Sequence, residues 1–166
     1  MYHLMLGGVR IAHQSGWPNV TYEPEGGTSS VRLSEGKLVE MSHWEKMRIS
    51  ISGSGLMGAG LEGVDFRSDL DLWSIKAMRL NTASLTATLT TEVRPDAPVW
   101  CDALLEDGRE QRTPVTMDGR VATITPVADA VQYSIGWLPR FTVRCRRPTE
   151  SSETRTNDWQ LICLEV

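Results

Sequence analysis

The sequence predicts an all-β fold, a β-sandwich or barrel-like domain built from hairpins with little helix. Three observations predict it. Short, largely alternating, β-branched segments follow one another through the second half of the chain. Two of the turns between them are Asp-Gly, Asp107-Gly108 and Asp118-Gly119, the pair that supplies the positive φ of a tight hairpin. No window of a dozen residues keeps apolar side chains at i, i+3, i+4 and i+7 among good helix formers. A chain of 166 residues with 40% hydrophobic content can bury a core as a single domain.

Taken in order, Ser30–Leu33 and Leu38–Met41 flank Glu35-Gly36-Lys37, a weaker hairpin signal, and Met47–Ser52 reads as a strand. The best helical candidates are short, Ser42–Met47 and Ser74–Leu80, and each is as easily a strand edge. Arg79–Val93 carries Leu80, Leu85, Leu89 and Val93 among threonines and reads as β. Val99–Leu105, Gln111–Met117, Arg120–Val127, Ala130–Trp137, Arg140–Arg146 and Trp159–Val166 follow at the spacing of about ten residues typical of all-β chains. Phe141, Val143 and Cys145 alternate with Thr142, Arg144 and Arg146, one face in and one face wet. Pro95 and Pro98 mark where an inserted β lobe, 96–138, would leave the main sheet. The polar run Thr149–Asp158 reads as a mobile hairpin loop between the last two strands.

A net charge of −4 argues against nonspecific binding to nucleic acid or anionic membrane, which needs clustered Lys and Arg. No apolar run reaches the length of a membrane span, and the N-terminal residues do not read as a signal peptide. Cys101, Cys145 and Cys163 are scattered, so reduced core cysteines are expected; a Cys145–Cys163 disulfide requires the last two strands to pair.

Gly53-Ser-Gly55-Leu-Met-Gly58 formally matches a dinucleotide fingerprint, with Asp69 and Asp71 beyond it where a ribose carboxylate would stand. The motif needs a following helix, and Gly60 and Gly63 oppose one. A glycine-rich loop with close backbone contacts is the better reading. No cofactor is expected. His3, His13 and His43 lack metal-ligand spacing, so no metal is expected. Ser52 and Ser54 lack the nucleophile-elbow pattern. Asp65, Asp69 and Asp71 could pair as acid and base, but turn and solvated strand positions are the commoner use. Six tryptophans are many for this length. Trp44, Trp73, Trp100 and Trp137 lie in or beside apolar strands and read as core by default; subunit contact or sugar stacking are the sharper readings.

Several segments in order resemble a known family: Tyr22-Glu-Pro-Glu-Gly-Gly27, Val31-Arg-Leu-Ser-Glu-Gly36, Trp44-Glu-Lys-Met-Arg-Ile-Ser-Ile-Ser-Gly-Ser-Gly55 and Gly60-Leu-Glu-Gly-Val-Asp65. Ala122-Thr-Ile-Thr-Pro126 and Pro139-Arg-Phe-Thr-Val143 extend the likeness over most of the chain. They are similar to small tail-tip and baseplate proteins of long-tailed bacteriophages, of the distal tail protein kind. Where that family carries a Trp and prolines after Gly55, this chain has Leu56-Met57-Gly58-Ala59.

The resemblance implies a structural virion protein with no enzymatic activity, made in the bacterial host's cytoplasm and housed in the tail. It implies a ring, usually sixfold, that joins the tail tube to the baseplate hub and fibres and leaves a central channel through which DNA passes without specific binding. Partners would then be further copies of the chain, tube proteins and hub proteins, with no membrane. Gly53, Gly55, Leu56, Met57, Gly58, Leu61 and Trp44 are the expected subunit-contact residues, and Thr149–Asp158 a second contact segment. The alternative is a carbohydrate-binding β-sandwich that uses exposed tryptophans.

Overall fold

A computed structural model describes residues 1–153 and 155–166; for residues 28, 42 and 43 it describes the backbone only. The fold is all-β, 57% strand and 2% helix, as the alternation and the Asp-Gly turns predict. The strands, in chain order, are β1 (Met5–Leu6), β2 (Val9–Arg10), β3 (Asn19–Arg32), β4 (Leu38–Gly55), β5 (Leu70–Trp73), β6 (Met78–Thr82), β7 (Thr86–Thr88), β8 (Glu92–Val93), β9 (Trp100–Leu105), β10 (Glu110–Thr113), β11 (Val115–Asp118), β12 (Val121–Ile124), β13 (Ala130–Trp137), β14 (Pro139–Cys145), β15 (Thr149–Ser152) and β16 (Asn157–Glu165). Among the described residues the one helical element is a 3-10 turn, His13–Ser15. Both helical candidates resolve to other structure. Ser42–Met47 lies within β4, and Ser74–Ala77 is a bend leading into β6. The long β segment Arg79–Val93 is broken into β6, β7 and β8.

The chain forms two compact units, Met1–Arg10 with Asp71–Phe141, and Ile11–Leu70 with Thr142–Val166. The predicted lobe 96–138 is a stretch of the first unit.

In the first unit a four-stranded antiparallel sheet, β10-β9-β13-β6, and a three-stranded one, β11-β12-β7, share a core. Cys101 and Ala103 of β9, Tyr133, Ile135 and Trp137 of β13, Ala122 and Ile124 of β12, and Leu89 meet in it. Gly108 and Gly119 both have positive φ, so the two Asp-Gly turns close β9–β10 and β11–β12 as expected. One Trp137 requirement is met inside: its indole N–H donates to Thr91 Oγ1 at 2.9 Å.

In the second unit β16 pairs with the end of β14, with β15 and with β4, and β4 pairs with β3, all antiparallel. Val20, Ile51 and Leu161 form one row of register partners on the core face, and Ile49, Cys163 and Cys145 another; all are buried. β14 shows the strict alternation read from sequence, apolar residues buried and arginines exposed. Against the expectation of three reduced cysteines, Cys145 and Cys163 are disulfide-bonded, because the last strands pair with these residues in register. Cys101 is the free, buried thiol. Most of the predicted loop Thr149–Asp158 is strand, since Thr149–Ser152 pairs with Asn157–Gln160; residue 154 lies outside the described residues.

Candidate functional site

The glycine-rich run owes its composition to packing within the second unit. A Cβ on Gly53 would stand 2.6 Å from Cζ2 of the buried Trp159 ring, which lies directly across the β4–β16 ladder. One on Gly55 would strike the backbone of Gln14, Ser15 and Gly16, and one on Gly58 would stand 2.5 Å from the Glu150 carboxylate. The three fingerprint glycines therefore each admit a neighbour from the same chain. Beyond Gly55 the backbone bends and turns, and the helix that a phosphate motif requires is replaced by the irregular run 56–69.

Local hydrogen bonds fix that run. Met57 N–H donates to Gln14 O at 3.1 Å, Ser15 Oγ to Gly58 O at 2.7 Å, Ala59 N–H to Glu150 Oε1 at 3.0 Å and Asn157 Nδ2 to Leu56 O at 2.7 Å. Ala59, Leu61 and Val64 are buried beneath it. Leu61 thus belongs to the core of its own unit and is withdrawn from the expected contact residues, because a side chain 2% exposed offers no surface. Leu56, 75% exposed, and Met57 stand at the outer bend and remain available.

Trp44 is about half exposed, so its default core assignment is corrected. It belongs to a feature of which the sequence announced only the tip, the Glu35-Gly36-Lys37 hairpin between Ser30–Leu33 and Leu38–Met41. The pairing of β4 with β16 ends at Arg48, yet β4 continues to pair with β3 back to Leu38. Residues 24–47 therefore form a two-stranded ribbon about 30 Å long, at roughly 3.3 Å per residue. Val31, Leu33, Leu38, Met41 and Trp44 on this ribbon are each about half exposed. Val31 opposes Val39, and Ser29 opposes Met41, so Val31, Val39 and Met41 share one face. The indole of Trp44 sits over Gly27, where a Cβ would come within 2.5 Å of Nε1.

The charged candidates are accounted for by pairing. Asp69 accepts from Arg144 at 2.6 Å, Asp71 from Arg140 at 2.8 Å and from the Trp73 indole at 2.9 Å, and Asp65 Oδ1 caps its own turn by accepting from Arg67 N–H at 3.1 Å. Asp71 in turn pushes the Arg140 pKa up. His3 contributes its backbone carbonyl to Arg94, and His13 stacks beside Trp17 at 6.0 Å. The side chain of His43 lies outside the described residues. Sequence reading also missed Arg94, which is 1% exposed and donates to both Asp96 oxygens at 2.8 Å and to the carbonyls of Ser74 and His3.

No protein-family model, no curated protein and no solved structure matches this chain.

Proposed function

We propose that the protein is a structural component of a bacteriophage tail tip, one that assembles with copies of itself into a ring between tail tube and baseplate hub. The observation that carries the self-association is the ribbon 24–47. A two-stranded hairpin standing alone is marginal in water, and five large apolar side chains on it are about half exposed, beyond the last described pairing of β4 with β16. β3 is also an edge strand of fourteen residues, and its outer backbone groups are a template for another strand. A second copy of the chain supplies both an apolar face and a strand edge. The segments Tyr22–Gly27 and Val31–Gly36, which carry part of the likeness to tail-tip proteins, lie in or at the base of this ribbon, and the exposed Leu56 and Met57 extend the available apolar surface.

Native mass spectrometry of the full chain, with negative-stain images of the same sample, tests the reading. A closed ring is expected. A compact monomer that persists at high protein concentration, and that fails to bind tube or hub proteins, would sink it.

A further inference from the structure

The second unit carries a cleft lined by Gly53 and by part of Thr149–Asp158, segments the resemblance assigns to subunit contacts, and its chemistry points to a ligand. The cleft has a volume of about 580 Å³, within the range of about 300–1,000 Å³ usual for small-ligand sites. Its floor is the wet face of the sheet whose other face buries Val20, Ile51 and Leu161. Directly opposed residues of an antiparallel ladder share a face. Asn19, Ser52, Gln160 and Thr149 therefore form one polar row across β3, β4, β16 and β15. Ser54, Asp158 and Ser151 form the next. Among the described residues, the side-chain amides of Asn19 and Gln160 and the carboxylate of Asp158 have no hydrogen-bond partner within the chain, which leaves them for something else.

Trp17 lines the cleft too, 61% exposed and held nearly parallel to the His13 ring, with 15° between planes. An exposed indole beside a field of hydroxyl, amide and carboxylate groups has two chemistries to offer. The ring face takes the C–H face of a pyranose, and the polar rows take its hydroxyls as both donors and acceptors. The lining residues exclude the competitors. None of those described is Lys or Arg, and Asp158 on the floor is negative, so phosphates and acidic sugars are repelled. The other large apolar side chain there, Trp159, is buried with its N–H donating to Ser15 O at 2.7 Å, so an apolar ligand finds too little surface.

We infer that this cleft binds a neutral saccharide, with Trp17 as the stacking platform and Asn19, Gln160 and Asp158 as the hydroxyl readers. All of these residues come from one chain, so monomer and ring alike would carry the site.

The full-length protein is applied to an array of neutral gluco-, manno-, galacto- and N-acetylglucosamine oligosaccharides, and each hit is titrated calorimetrically. Binding of at least one neutral glycan is expected. Trp17→Ala should weaken it by about tenfold or more, the penalty usual for losing an aromatic anchor, and Asp158→Asn should weaken it by a smaller factor. Trp44→Ala should leave it unchanged. Because Trp17 is exposed, the Trp17→Ala protein should unfold at the same urea concentration as the parent, which separates lost binding from lost folding. Silence across the array at millimolar glycan overturns the inference. So does binding that survives Trp17→Ala, or binding confined to acidic or phosphorylated sugars.

Discussion

Trp159 lies across the β4–β16 ladder from Gly53, its indole occupying the space where a Cβ at position 53 would be. The same relationship recurs in the first unit, where Trp100 covers its register partner Gly136, and on the ribbon, where Trp44 covers Gly27. A glycine in a strand gives up side-chain packing, and a tryptophan on the neighbouring strand restores it. Half of the six tryptophans are used this way, so these three need no ligand to account for them.

Gly53→Ala should therefore be costly. The buried Trp159 has its N–H committed to Ser15 O and cannot retreat, so forced overpacking should cost about 1–3 kcal/mol. Gly63→Ala is the control: a Cβ there meets nothing within 4 Å, and the change should be neutral or slightly stabilising. Urea unfolding followed by Trp fluorescence distinguishes the two. Equal midpoints for Gly53→Ala and the parent would show that the glycine is not held by Trp159.

The strands of the second half were legible because each states its own periodicity: Phe141, Val143 and Cys145 alternate inward whatever they pack against. The Asp-Gly turns were legible because positive φ is a local demand. The ribbon was not. Thr28 to Ser30 and Ser42 to Lys46 lack an apolar alternation, and their strand character comes from pairing with each other. Of the expected contact residues, Trp44, Leu56 and Met57 could be placed at the surface by type alone, but Leu61 could not be told from them, because burial there depends on how the loop folds back. The cleft joins Trp17 and Asn19 to residues more than 130 positions later, and no spacing rule reaches that far.

Arg94 was equally hidden, and its environment makes a pH prediction. The guanidinium is buried and holds the Asp96 carboxyl below the ordinary carboxylate range of about 3.9, chiefly by hydrogen bonding. A carboxyl whose pKa is lower folded than unfolded contributes stability that is fully present above the ordinary range and lost as pH falls through the lowered value. Asp96 is 42% exposed, so solvent screening keeps this contribution below about 1 kcal/mol. Asp96→Asn should flatten the acid limb of the stability curve below pH ~4 by lowering its neutral plateau through the loss of that contribution. Arg94→Met should cost more, about 2–4 kcal/mol, because the carbonyls of Ser74 and His3 lose their donor. Guanidinium-induced unfolding across pH measures both; an unchanged acid limb in Asp96→Asn would remove the linkage.

The cysteines give a chemical prediction. With Cys145 and Cys163 bonded and Cys101 buried, the native protein should show no fast-reacting thiol and the unfolded, unreduced protein one. Burial also pushes the Cys101 pKa up, which slows its reaction further. Replacing both Cys145 and Cys163 by Ala should lower stability by about 2–4 kcal/mol, mainly by freeing the unfolded chain across their separation of 18 residues. Thiol titration before and after denaturation decides it, and three thiols in the unreduced chain would mean that the bond does not form.

The ribbon yields the prediction on which the assembly reading turns. Val31 and Met41 sit on one face of a hairpin that extends beyond the β4–β16 ladder, and each is about half exposed. Charges placed there meet water in the monomer and an apolar surface in the assembly. Val31→Glu with Met41→Glu should change the stability of the isolated chain by no more than about 0.5 kcal/mol per site, as surface substitutions do. In a ring the same two carboxylates are buried and unpaired at every subunit contact that the ribbon makes, and a penalty of several kcal/mol per contact is expected. The double variant should therefore elute as a folded monomer at concentrations where the parent is a ring. Sedimentation velocity reads the oligomer and urea unfolding reads the fold. Should the variant assemble as the parent does, the ribbon is not the contact; should it unfold, the ribbon's apolar face serves the monomer instead.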